Sequence, residues 1–115
     1  MAANTIYHLA RRAEWEAAGA TGRYVGSAQD QADGFIHFST GEQVEDSAAR
    51  HRAGETDLLL LSVDAAVLGD ALKWEASRSG TLFPHLYGPL PAAAVIRAEP
   101  LPLGPDGRHV FPPLE

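Results

Sequence analysis

The chain contains no cysteine, only one lysine (Lys73) and no apolar stretch of membrane-spanning length. Each absence removes a class of protein. Without cysteine there are no disulfides and no thiolate metal sites, and nothing points to an oxidising compartment. The opening "MAANTIYHLARRAE" meets charge within a dozen residues and holds no apolar stretch of signal-peptide length. The leucine run Leu58–Leu61 is far short of the roughly 20 residues that cross a bilayer. A cytoplasmic protein without a membrane partner is expected. Nine basic residues stand against fifteen acidic ones, a formal net charge of −6. Binding to a phosphate backbone draws on clustered Lys and Arg. The arginines here are scattered, so no nucleic-acid partner is expected. No Walker-type loop, dinucleotide glycine fingerprint or nucleophile elbow occurs either.

What is present is a chain of 115 residues, 45% of them hydrophobic. That length fits one domain, residues 1–115, burying roughly two-thirds of the surface its unfolded chain would expose. Thr5–Leu9 reads as a short strand, and Ala10–Ala18 as a helix anchored by Trp15 and stopped at Gly19. Ser27 followed by Asp30 suggests a capped helical turn. Phe35–Ser39 has strand composition, and Thr40 with Gln43 resembles a capping box opening a helix through about Arg52. "DLLLLSVD" reads as a central strand buried on both faces. In Ala71–Ser77, the residues Leu72, Trp74 and Ala76 alternate with Lys73, Glu75 and Ser77, which is strand period. "SRSGTLFPHLYGPLP" reads as a long irregular loop, Ala94–Leu101 as a last strand, and 102–115 as a Pro-rich tail. Strands without regular helical crossovers predict an α+β fold with a small mixed or antiparallel sheet and two to three helices.

Chemistry concentrates in three places. In "GFIHFST", strand alternation puts Phe35, His37 and Ser39 on one face and Ile36 and Phe38 on the core face. A helix opening at Thr40 would add free amide donors beside His37, suited to an anionic group. The plainer alternative is a hydrogen-bonded core histidine and a simple cap. Glu75 lies beside the Trp74 indole, where partial desolvation would raise its pKa for acid–base work. Its alternative is a solvated strand residue paired with Arg78. "LFPHLYGPL" crowds Phe83, His85, Leu86 and Tyr87 between prolines and glycines, so it covers either the domain's own core or a flat ligand ring. The five histidines, with Asp33 and Glu75, raise a zinc or iron reading. No local ligand signature accompanies them, so no residue is assigned to a metal, and His51 and His109 read as bystanders.

Taken in order, "IYHLA", "YVGSAQDQADGFIHFST", "EQV", "DLLLLSVD", "LKWEAS" and "LFPHLYGPLP" followed by "AVI" are similar to an uncharacterised bacterial family, domain of unknown function 952. The resemblance covers about residues 5–101. That family has been grouped, on distant similarity, with the ADP-ribosyltransferase-like fold, a small split β-sheet that binds NAD. The resemblance therefore implies that fold, NAD as the cofactor, and transfer or hydrolysis of ADP-ribose. It implies His37 and Glu75 as catalytic residues, with His8, Ser39, Thr40, Trp74 and Tyr87 around the ligand, and the crowded loop adds His85 to the same pocket. In such chemistry a carboxylate stabilises the oxocarbenium-like charge, a histidine holds ribose hydroxyls, and Tyr87 or Trp74 stacks on nicotinamide. The chain lacks a Tyr-x-Ser-Thr-Ser pattern. Two other classes stay open: a non-catalytic module binding a small metabolite in the same pocket, and a histidine–carboxylate metal-dependent hydrolase. All three take a small-molecule partner.

Overall fold

The computed structural model describes residues 4–77 and 79–114. Strand β1 (Thr5–Arg11) runs into helix α1 (Arg12–Ala18), and β2 (Arg23–Tyr24) leads to α2 (Ala28–Asp33). β3 (Ile36–His37) and β4 (Ser39–Thr40) flank Phe38, and α3 covers Val44–His51. After β5 (Leu58–Asp64) comes a 3-10 helical segment, Ala65–Ala71, then β6 (Leu72–Ala76), β7 (Leu82–Leu86) and β8 (Leu90–Pro91). A second 3-10 turn, Ala92–Ala94, precedes β9 (Val95–Leu101). The strands form a four-stranded sheet in the order β4-β1-β5-β9, a three-stranded sheet β3-β7-β6, and a ribbon β2-β8. All pairings between them are antiparallel. The architecture is α+β, as the strand-rich order predicts.

The leucine run organises the core. In β5, Leu59, Leu61 and Val63 face a cluster with Ile6, Ala10, Ile36, Phe38 and Leu86. Leu58 and Leu60 point the other way, toward Tyr7, Val44 and Leu101. Both faces of β5 are covered, which is why it reads as a continuous apolar run rather than as an alternation. Phe111 and Leu114 close the second cluster. His109 donates from Nε2 to the Glu55 carbonyl at 2.7 Å, and Leu103 bridges His109. The expected tail is therefore packed against the sheet.

Three other expectations change. Ala10 belongs to β1, paired with Leu59 and wholly buried, so the first helix begins at Arg12. Burial between sheet neighbours outweighs the helix propensity of a single alanine. Thr40 is likewise a strand residue, paired with Ile6, and α3 begins at Val44. Only half of its capping box forms: the Thr40 N–H donates to Gln43 Oε1 at 3.0 Å, while Gln43 Nε2 donates to the Leu82 carbonyl. The helix expected to open at Thr40 beside His37 therefore begins four residues later, at Val44. Finally, Leu82–Leu86 is not loop but the central strand of the three-stranded sheet. Pro84 hides this, because proline donates no ladder hydrogen bond; here its carbonyl accepts from Phe38 N–H at 3.0 Å. Among the described residues no helix is long and apolar enough to cross a membrane.

Candidate functional site

Strand register decides which side chains meet. His37 of β3 pairs with His85 of β7, which pairs with Lys73 of β6, so all three share the outer face of the sheet. Glu75 joins that face opposite Phe83. Ile36 and Leu86, the intervening positions, are buried beneath. On the outer face the Phe35 ring stacks on His85 with centroids 4.1 Å apart, and lies 4.6 Å from His37 and 5.3 Å from Tyr87. The two imidazole centroids are 5.5 Å apart.

Each histidine is backed by a carboxylate. His85 Nδ1 donates to Glu75 Oε1 at 2.8 Å, and the Tyr87 hydroxyl donates to the same oxygen at 2.7 Å. Those bonds, Tyr87 first and then His85, hold the Glu75 carboxyl below the usual range, and the same contact pushes the Tyr87 phenol up. This reverses the expectation that the Trp74 indole would raise it. Trp74 alternates to the opposite face of β6, so it does not desolvate Glu75. Arg78, the other expected partner of Glu75, lies outside the described residues.

His37 Nδ1 donates to Asp30 Oδ1 at 2.5 Å, and its Nε2 lies 3.0 Å from Asp33 Oδ2. Asp30 is positioned by the capping box of α2: Ser27 N–H donates to its Oδ2 at 2.8 Å, and its own N–H donates to Ser27 Oγ. The His37 N–H adds a further donor to Oδ1. Burial alone would push the Asp30 carboxyl up, but these donors and the His37 ring outweigh it and hold it well below the usual range.

Under Asp30 the chain of contacts continues inward. His8 Nδ1 sits 2.6 Å from the His37 carbonyl oxygen, which only accepts, so Nδ1 carries the proton. His8 Nε2 then accepts from the Tyr24 hydroxyl at 2.8 Å and lies 3.7 Å from Asp30 Oδ2. Burial pushes the His8 imidazole down and the Tyr24 phenol up, so both are neutral. The result is a buried His8–Tyr24 pair lying beneath the Asp30 carboxylate, which in turn orients a half-exposed histidine.

Of the residues expected around a ligand, His37, Glu75, His85 and Tyr87 come together on one face, with His8 beneath them. Ser39 does not join them. Between His37 and Ser39 the chain crosses from one sheet to the other, and the buried Ser39 hydroxyl bonds Ser47 Oγ at 3.0 Å. Thr40 and Trp74 line a groove away from the histidines. The sequence marks Asp30 only as part of a capped turn and puts Phe35 on the His37 face, but it links neither Asp30 nor Tyr24 to the histidines and does not place Phe35 against His85. The one signal was an aspartate at the third helical position of a box whose serine precedes His37 by ten residues. Among the described residues no group of three or more His, Asp or Glu side chains is placed to hold a metal ion.

Residues 9–98 match the model of a family described as proteins of unknown function, DUF952. The crystal structure of protein CC0527 from Caulobacter crescentus is 52% identical, with a TM-score of 0.89, over 93% of this chain and 94% of that one. The solution NMR structure of CC0527 is 54% identical, with a TM-score of 0.81, over 90% of each chain. No functionally curated protein matches the chain. By the extent of the family match and by this identity, the chain belongs to the DUF952 family.

Proposed function

We propose that the outer face of the three-stranded sheet is a small-molecule site with acid–base capacity, acting on the N-glycosidic bond of NAD or a related ADP-ribose compound. The observation that carries this reading is Glu75 Oε1, which takes hydrogen bonds from both His85 Nδ1 and Tyr87. That carboxylate stays ionised, as stabilisation of an oxocarbenium-like sugar requires. The C–N bond breaks with its electron pair passing to the pyridine nitrogen, so nicotinamide leaves neutral. Water or an acceptor hydroxyl then attacks the anomeric carbon and must lose a proton. With Nδ1 committed to Glu75, Nε2 is the His85 ring nitrogen open to the reacting group, and it has no hydrogen-bond partner among the described residues. Phe35 and Tyr87 supply aromatic faces for a cationic ring.

Calorimetric titration with NAD and ADP-ribose, followed by an assay of nicotinamide release, tests this. Saturable binding with turnover that is lost in Glu75→Gln supports it. No binding of either compound at millimolar concentration sinks it. A second reading, a binding module without turnover, draws on the saturation of Glu75 and His37 by their own neighbours, a preorganised recognition surface. Saturable NAD binding with no nicotinamide release in any variant would select it.

A further inference from the structure

On the reverse side of the three-stranded sheet, Trp74 stands 46% exposed. It lines two grooves. One, of about 460 Å³, is bounded by Ala65, Ala66, Gly69 and Leu72; the other, of about 450 Å³, by residues 5–6, 40–42 and Leu114. Asn4 and Trp74 line both, so the grooves adjoin across the indole. This is where the two larger sheets part, with Ile6 and Thr40 on one and Trp74 on the other.

The polar groups here contrast with those of the histidine face. The Asn4 amide, the Thr40 hydroxyl and the Glu42 carboxylate have no hydrogen-bond partner among the described residues. Around the histidines, by comparison, the carboxylates of Asp30, Asp33 and Glu75 are occupied by neighbours. Gly69 adds a separate observation. Its φ of 61° and ψ of −143° lie in a region essentially restricted to glycine, yet an added Cβ would meet nothing within 4 Å. Glycine is thus required by the backbone kink that shapes the groove and not by crowding.

We propose that this cleft is a second binding site, taking a flat nitrogen heterocycle with an exocyclic amino group, of the adenine or cytosine type. An exposed indole offers a stacking face that is indifferent to ring substituents. Selection comes from the rim: the Glu42 carboxylate accepts from the amino group, while Asn4 and Thr40 offer both donors and acceptors to the ring edge. The grooves have the volume of small-molecule sites.

Nuclear magnetic resonance reads the cleft directly, because the chain has two tryptophans, Trp15 and Trp74. Trp74→Phe assigns their indole N–H signals. Titration with adenosine and with cytidine, in separate samples, is expected to shift the Trp74 indole and the Gly41 and Gly69 amides saturably, leaving Trp15 unmoved. Uridine, which lacks the amino group, is expected to bind about tenfold more weakly, as is adenosine to Glu42→Gln. Saturation by adenosine alone or by cytidine alone identifies the purine or pyrimidine source. The proposal is overturned if neither nucleoside shifts Trp74 saturably at millimolar concentration. Equal binding of uridine, or shifts confined to Phe35 and Tyr87, overturns it as well.

Discussion

Gly26 lies directly against Asp30: a Cβ added to Gly26 would sit 2.7 Å from the Asp30 Cβ and 2.8 Å from its Oδ2. Gly26 also has φ of 87°, where side chains are disfavoured. Gly26→Ala is therefore expected to destabilise the fold by about 2 kcal/mol and to move the Asp30 carboxylate. Denaturant unfolding measures the first effect. Loss of the His37 contact, followed through the imidazole signals by nuclear magnetic resonance, measures the second.

The buried network makes stability depend on acid in two stages. Burial holds the His8 imidazole below its ordinary 6.5. As pH falls below 6.5, the unfolded chain takes up a proton that the folded one refuses, so stability declines. Asp30 is held well below its ordinary 3.8, so its contribution is present above that pH and is lost as pH falls further. Denaturation midpoints measured across pH 7 to 2 are expected to show both stages, and Asp30→Asn is expected to lack the second.

Tyr24 gives the opposite sign at the alkaline end. Burial raises its phenol above the ordinary 10, so above that pH the unfolded chain loses a proton first and stability falls. Tyr24→Phe is expected to remove this alkaline loss. Near neutrality the same change leaves the buried His8 Nε2 without a donor, at a cost of about 1–3 kcal/mol. Unfolding curves at pH 7 and pH 11 distinguish the two effects.

Ser62 is fully buried in β5, and its hydroxyl has no hydrogen-bond partner among the described residues. Ser62→Ala is expected to be neutral or stabilising by up to about 1 kcal/mol. Leu60→Ala, two residues away and equally buried, is expected to cost about 2–5 kcal/mol. Thermal or chemical denaturation of the two variants side by side provides the comparison.

Much of this molecule is legible along the chain. The α+β class, the doubly buried strand at Leu58–Leu61, the capped turn at Ser27–Asp30 and the division of His37 from Ile36 and Phe38 all follow from local pattern. The misreadings share one cause, which is strand pairing with distant residues. Pro84 made β7 look like a loop until β3 and β6 closed on both of its sides. Ala10 and Thr40 looked helical until Leu59 and Ile6 paired with them.

The same distinction governs the site. Alternation in β3 and β6, a property of consecutive residues, determined that His37 is set apart from the core and that Glu75 is set apart from Trp74. Only tertiary structure decided what those residues meet, because register joins segments that are far apart in the chain. It set His37 beside His85, brought Tyr87 and His85 onto one oxygen of Glu75, and slid Asp30 and His8 beneath the face. By carrying the chain into another sheet after Phe38, it also removed Ser39 from the histidine it follows by two residues.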